Sequence, residues 1–193
     1  GPHHQVVERV TRVRLPNGRD VEQRSRLVEL QTGMHYRDGD SWVESVERID
    51  AHPDGAVAHH GQHKVAFAAN LNTRGAIQLV DADGQRFSSH VLGLAFTDMA
   101  TGESVLIAQV KDVTGRIQAP NQILYADAFK EVTTDVRFTY RRDGLEQDII
   151  LREALPVGPR DFGMNPETTR LEVFTEFIEA PEGRAVPSTL RTE

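Results

Sequence analysis

The chain has 193 residues, a formal net charge of -7 and no cysteine. Its length suits one domain, or one domain with a short partner, and allows a core large enough to fold without disulfides or metals. The acidic balance and the scattered arginines exclude a typical nucleic-acid surface, which needs concentrated basic residues. The lack of cysteine excludes thiol catalysis, Cys-ligated zinc and disulfides. No apolar run approaches the roughly 20 residues that span a bilayer, so no membrane segment is expected.

Both ends of the sequence look like cuts in a longer protein. Gly1-Pro2 resembles the scar that a tag-removing protease leaves, and the histidines beside it are expected to be vector-derived or disordered. Residues 1–5 are therefore predicted to be a tag scar and disordered start. Residues 181–193 are predicted to form a linker-like tail, because Pro, Gly and Ser recur there. The folded domain is expected to occupy residues 6–180.

Alternating apolar and polar residues between turn signals predict β-strands along the whole chain. Residues 6–15 form the first β-rich run, and Pro16-Asn17-Gly18 after it is a strong turn signal. Later turns are predicted at residues 37–40, 53–55 and 81–84, each between two β-rich runs.

The clearest β-hairpin lies within residues 135–153. Val136, Phe138 and Tyr140 alternate with polar residues, as in a half-buried strand. Asp143-Gly144 supplies the turn, and a second β-rich run follows at once.

Little helix is predicted elsewhere. Residues 122–132 fit a short helix or extended chain, and the neighbouring strands favour strand and loop. Asn165-Pro166-Glu167 is predicted to cap one helical turn, and residues 171–177 alternate as a last strand. The recurring turns predict an all-β fold, an antiparallel β-sandwich with at most one or two short helical turns. A large sandwich of two sheets is one form that this fold can take.

A group of histidines is the first candidate site. His59, His60 and His63 flank Gly61, and imidazole is the commonest ligand of zinc or copper. A bend at the glycine would bring the rings together, whereas neighbours on a strand point to opposite faces. These three are the metal-ligand candidates; polar residues of an exposed turn are the alternative.

Two acidic turns are candidates for calcium. Asp38-Gly39-Asp40 and Asp81-Ala82-Asp83-Gly84 place carboxylates close together, as calcium sites do. Neither continues into the spacing of an EF-hand loop, and Asp and Gly dominate turns for backbone reasons alone.

Trp42 and Tyr36 are the candidate ligand-binding residues, since aromatic platforms bind sugars in many β-sandwiches. With one Trp in the chain, packing of these rings in the core or a hairpin is the alternative. No nucleophile elbow and no phosphate-binding glycine pattern occurs, so no catalytic residue and no cofactor is predicted.

Two segments resemble a known family. Residues 33–43 contain Tyr36-Arg37-Asp38 ahead of Trp42, similar to a Tyr-x-Asp-x-x-x-Trp turn. Residues 123–151 are similar to a Tyr-x-x-x-x…Asp-Leu-x-Tyr…Gly-x-Lys-Glu-x-Ile-x-Leu pattern, with Glu146-Gln147-Asp148 where Lys-Glu is common. Together they resemble the β-rich region ahead of the repeats in large bacterial secreted proteins of the RHS and wall-associated type. The resemblance implies an exported, non-catalytic β-domain at the cell surface or outside the cell.

The sequence therefore predicts a non-catalytic structural or interaction module of a larger extracellular bacterial protein. Its expected partners are other domains of the same polypeptide, or a surface protein or polymer. The alternative is a carbohydrate-binding module that uses Trp42 and Tyr36, with calcium in an acidic turn.

Overall fold

A computed structural model describes residues 1–182, so the predicted tail lies outside the described residues from residue 183 onward. The described chain forms fifteen strands and one 3-10 turn, which confirms the predicted all-β fold. It contains no helix that could cross a lipid bilayer. The strands are β1 (His4–Arg14), β2 (Asp20–Leu30), β3 (His35–Asp38), β4 (Ser41–Glu44), β5 (Asp50–His52), β6 (Gly55–Ala58), β7 (Lys64–Ala68), β8 (Ile77–Val80), β9 (Arg86–Asp98), β10 (Ser104–Gln109), β11 (Arg116–Ala119), β12 (Gln122–Tyr125), β13 (Thr134–Tyr140), β14 (Leu145–Leu151) and β15 (Thr169–Glu179), and the 3-10 turn spans Pro159–Phe162.

Two antiparallel sheets form the body of the protein. The larger has seven strands: β10, β9, β8, β7, β6 and β5 in order, with β15 also paired to β9. Strands β8 and β10 pair with different halves of the long strand β9, and β15 pairs along nearly its whole length. The smaller sheet has the order β11, β12, β13, β14. Strands β5 and β15 are therefore edges of the larger sheet.

The two sheets enclose one continuous apolar core, which gives the predicted sandwich-like arrangement. The rings of Phe67 on β7 and Phe138 on β13 lie 5.8 Å apart, centroid to centroid. Tyr125 on β12 meets Phe138 edge-on at 6.2 Å. Such tilted and edge-on pairs are the arrangements that aromatic rings prefer.

Two buried tyrosines join the sheets by hydrogen bonds. Tyr125 Oη donates to the carbonyl of Ala68 at 2.6 Å, and Tyr140 Oη donates to the carbonyl of His63 at 2.9 Å. Both acceptors lie at the ends of β7, so the smaller sheet holds one strand of the larger sheet at two points. Burial raises the pKa of Tyr140 to about 12, which keeps its hydroxyl a donor at neutral pH.

The predicted hairpin at residues 135–153 is confirmed as β13 and β14. Its first strand differs from the prediction in one respect, because β13 is buried on both faces except at Arg137. The second face is covered where Arg152 binds the carboxylate of Asp135, which also accepts the N–H of Asp127 at 2.9 Å. A carboxylate satisfied in this way can be buried without a large penalty.

The less regular predictions also hold. Residues 122–132 form strand β12 and then loop. Asn165 Oδ1 accepts the N–H of Glu167, and the Asn165 carbonyl accepts the N–H of Thr169, which closes the predicted helical turn.

Strands β1 and β2 form a two-stranded ribbon that stands away from both sheets. They pair over eleven residues, every residue of β1 is exposed, and β2 is half-buried only at Val21. At the base of the ribbon, Gln62 Nε2 donates to the carbonyls of Pro2 and His35. The chain is thus strand from His4, inside the segment predicted to be a disordered start, because its backbone pairs with β2.

Replacing Tyr125 or Tyr140 with Phe keeps the ring but leaves a carbonyl between the sheets without its donor. We expect each substitution to lower the free energy of unfolding by about 1–3 kcal/mol in urea denaturation. Tyr36→Phe, in the surface hairpin of β3 and β4, is the control and should stay within about 0.5 kcal/mol of the parent. Losses no larger than the control's would show that the two hydroxyls do not hold the sheets together.

Candidate functional site

Three potential metal ligands converge beside the edge strand β5, and we call them the Asp-His cluster: Asp50, His59 and His60. His60 Nε2 lies 2.7 Å from Asp50 Oδ2, and His59 Nε2 lies 3.8 Å from the same oxygen. One ligand atom from each residue lies within 4.8 Å of the other two. His60 is mostly buried, whereas about half of the His59 side chain is exposed.

A bend brings the two histidines onto the same side. Strand β6 ends at Ala58, so the alternation that sends neighbouring strand residues to opposite faces does not apply to His59 and His60. Their ring centroids lie 4.0 Å apart. The pairing of β5 with β6, which places Asp50 opposite Val57, brings the carboxylate within reach of both rings.

The bend is fixed by its neighbours. Lys64 Nζ donates to the carbonyls of His59 at 2.5 Å and Gly61 at 2.7 Å, and the N–H of Val46 donates to the carbonyl of His60. At Gly61 a Cβ atom would lie 2.2 Å from Tyr140 Oη, so only glycine fits. The backbone that carries both imidazoles is therefore held before any ligand arrives.

Sequence reasoning missed two members of this region, Asp50 and Arg48. Arg48 Nε donates to Asp50 Oδ1 at 2.9 Å, and Arg48 Nη2 lies 2.5 Å from His60 Nε2. Partial burial works against ionisation of Asp50, but the hydrogen bonds from His60 and Arg48 outweigh it and lower the pKa of the carboxyl. Asp50 approaches the histidines because β5 pairs with β6 in a hairpin. Alternation within a single strand does not predict such a pairing.

His63 does not belong to the cluster. Its side chain is buried, and its ring packs on Tyr140 with centroids 4.7 Å apart. Within residues 1–182 its Nε2 atom has no hydrogen-bond partner. Burial lowers the pKa of His63, against the opposing effects of the Gly144 backbone and Asp143. The predicted trio of metal ligands therefore separates into a surface pair and one core histidine.

Trp42 and Tyr36 border one cleft but do not form one platform. In the β3–β4 hairpin Tyr36 pairs with Val43 and Arg37 pairs with Trp42, so the two aromatic side chains extend from opposite faces. The Arg37 guanidinium lies 5.3 Å from the centre of the Trp42 ring, and Lys64 Nζ lies 4.2 Å from that of Tyr36. The cleft has a volume of about 330 Å³, and its walls include Pro2, Tyr36, Arg37, Trp42, Gln62 and Lys64.

The acidic turns use their polar atoms to build the turns themselves. Asp81 Oδ1 accepts the N–H groups of Asp83 and Gln85, at 2.9 and 2.8 Å. In the other turn the Asp40 carbonyl accepts a hydrogen bond from Arg37. The Asp81 contacts are the backbone role that an Asp side chain commonly has in turns, whereas the contact at Asp40 uses its main-chain carbonyl.

Stability should fall in mild acid through His63. Because burial holds the folded-state pKa of His63 below its unfolded value of about 6.5, the unfolded chain binds the proton more tightly. The contribution of neutral His63 to the free energy of unfolding is complete above about pH 6.5 and is lost as the pH falls below that value. The His63→Gln substitution should make the midpoint of urea denaturation depend less on pH between roughly pH 7.5 and 5.

The exposed His52 provides the control, and His52→Gln should leave this pH dependence as in the parent chain. Parallel profiles for the parent and His63→Gln would show that protonation of His63 does not destabilise the fold.

Comparison of the chain with protein-family models, with curated protein sequences and with solved structures found no match.

Proposed function

We propose that the chain is a non-catalytic protein-interaction module of a larger secreted bacterial protein, and that the β1–β2 ribbon is its docking element. The observation that carries the proposal is the exposure of the ribbon on both faces along eleven paired residues. An isolated two-stranded ribbon is marginal in water, so a partner that covers it is expected. The resemblance of residues 33–153 to secreted proteins of the RHS and wall-associated type supports the cellular setting.

The ribbon surface has the composition of an interface. Leu30 is 77% exposed and Leu27 65%, so large apolar side chains of the ribbon face solvent. Six arginines against four acidic residues give residues 4–30 a charge of +2, so the rest of a chain of net charge -7 carries -9. A basic, partly apolar arm on an acidic body fits an acidic, partly apolar partner surface.

A second copy of the chain offers such a surface at β15. Among the described residues, β15 pairs only with β9, so its other edge has free backbone groups. It carries Glu172, Glu176 and Glu179, and Phe177 on it is 66% exposed. Both β15 and the ribbon strands are eleven residues long. Addition of a strand to a free sheet edge is a common mode of protein recognition.

The available area is sufficient for a stable pair. A ribbon edge of eleven residues is roughly 35 Å long and about 10 Å thick. Two ribbons that pair reciprocally with two β15 edges bury roughly 1,400 Å² in total, within the usual range of specific interfaces. We therefore assign the second copy, in a two-fold arrangement, as the partner of the ribbon.

Charge reversal at either surface should weaken dimerisation. Arg9→Glu with Arg26→Glu places acidic groups against β15, and Glu172→Arg with Glu179→Arg places basic groups against the ribbon. We expect each double variant alone to lose at least about tenfold in dimer affinity by sedimentation equilibrium at low salt. An equimolar mixture of the two variants should regain the dimer, because each ribbon then meets a complementary edge.

Reversal of exposed arginines elsewhere is the matched control. Arg116→Glu with Arg160→Glu changes the net charge as the ribbon variant does, and should leave dimerisation intact. A parent chain that stays monomeric at every concentration, or a mixture that fails to associate, would contradict the second copy as partner.

Carbohydrate binding at the cleft of Trp42 and Tyr36 is the second candidate function. The cleft combines aromatic rings with amide and cationic side chains, a common lining for sugar sites. The cations Arg37 and Lys64 favour an acidic polysaccharide. Because the rings lie on opposite faces of their hairpin, Trp42 is the ring proposed to contact the sugar.

Trp42 is the single tryptophan, so its fluorescence reports on this cleft directly. Titration with a uronic-acid polysaccharide should shift the emission of the parent chain and not that of Arg37→Gln. The neutral polymer dextran is the control ligand. Unchanged emission with both polymers would remove this candidate.

A further inference from the structure

The Asp-His cluster leaves one nitrogen in conflict. His60 Nε2 lies 2.7 Å from a carboxylate oxygen of Asp50 and 2.5 Å from Nη2 of Arg48. If Nε2 bears a proton, that proton can satisfy Asp50 but meets an N–H group of Arg48. If Nε2 bears a lone pair, the pair accepts from Arg48 but faces the lone pairs of Asp50. No protonation state of the imidazole satisfies both neighbours.

A metal ion would resolve this conflict. A cation between the three ligand atoms accepts the lone pairs of both imidazoles and one oxygen of Asp50. Arg48 can keep its bond from Nε to the other carboxylate oxygen, since that contact uses Oδ1. About half of the Arg48 side chain is exposed, so its Nη2 group is free to turn toward solvent.

We propose that Asp50, His59 and His60 form a binding site for a divalent transition-metal ion of the zinc class. Two imidazoles and one carboxylate are a ligand set typical of zinc, and three protein ligands leave a fourth position open to water or an outside ligand. The site differs from the trio of histidines that the spacing of residues 59–63 suggests, because Asp50 takes the place of the buried His63.

The surroundings favour ligation over a loose cluster of polar groups. The bend that carries the histidines is held by Lys64 and by contact of Gly61 with Tyr140, so little order has to be gained on binding. The Lys64 ammonium is bonded to the carbonyls of the bend, and Arg48 is the cation that competes directly with the metal.

Arg48 gives the proposal its sharpest test. Arg48→Ala removes the competing guanidinium, and we expect zinc affinity in isothermal titration calorimetry to rise several-fold. His60→Ala and Asp50→Asn should each weaken binding by at least about tenfold. All variants carry His3→Ala and His4→Ala, so that the histidines of the N-terminus do not contribute. His52→Ala, which removes an exposed histidine outside the cluster, is the matched control and should bind zinc as the background chain does.

Two further measurements keep failure of folding apart from failure of binding. The circular dichroism spectrum of each variant in chelator should match that of the background chain. Cobalt added to the background chain should give the intense visible absorption of a low-coordinate site with nitrogen ligands. Equal zinc affinity in the His60→Ala and His52→Ala variants, or weaker binding in Arg48→Ala, would overturn the proposal. Neither result bears on dimerisation through the ribbon, because Asp50, His60 and Arg48 lie outside the ribbon and the background chain shares its His4→Ala change with every variant.

Discussion

The two hydrogen bonds from Tyr125 and Tyr140 to the ends of β7 are the contacts on which the arrangement of the sandwich depends. Apolar burial brings two sheets together but does not fix how one lies on the other, because the hydrophobic effect is not directional. A hydroxyl that finds one carbonyl within the core does fix it, since an unpaired buried carbonyl costs more than the bond gains. The chain has no cysteine, so no disulfide of the kind that joins the sheets of some other sandwiches contributes here.

The position of the Asp-His cluster follows from one of these bonds. Tyr140 Oη reaches the carbonyl of His63 immediately before β7, and the same hydroxyl lies where Gly61 must have no side chain. The chain therefore leaves β6, bends across the tyrosine and enters β7 in a path that the core sets. His59 and His60 lie on the outer side of that path. A polar surface cluster is thus placed by packing inside the sandwich.

Much of the fold could be predicted because turn chemistry and alternation are local properties. Pro16-Asn17-Gly18 and Asp143-Gly144 lie between paired strands as predicted. The burial of β13 on both faces could not be predicted, since the partner that covers Asp135 is Arg152, seventeen residues later and just past the end of β14. The separation of the ribbon from the sheets could not be predicted either, because its apolar and polar residues alternate as they do in strands that pack on a core.

The candidate site shows the same limit more strongly. The spacing of His59, His60 and His63 suggested one group, but a hydrogen-bonded bend and a buried ring divide it. Asp50 joins the pair from another strand, and strand neighbours cannot be read from periodicity. Trp42 and Tyr36 do border one cleft, yet the register of their hairpin sends the rings to opposite faces. The sequence therefore predicted several of the candidate residues, but it did not predict the directions in which their side chains point.

The ribbon is connected to the body of the protein at Gly33, between β2 and β3. Gly33 has φ of +69°, and a Cβ atom there would lie 2.0 Å from the backbone oxygen of Arg142. Next to it, Met34 is buried and anchors the chain. An arm roughly 35 Å long acts as a lever, so a tilt of about 10° at this joint displaces the tip by roughly 6 Å, more than the spacing between neighbouring strands. The direction of the ribbon, and with it the surface that the ribbon can reach, therefore depends on a backbone path at Gly33 that a side chain would block.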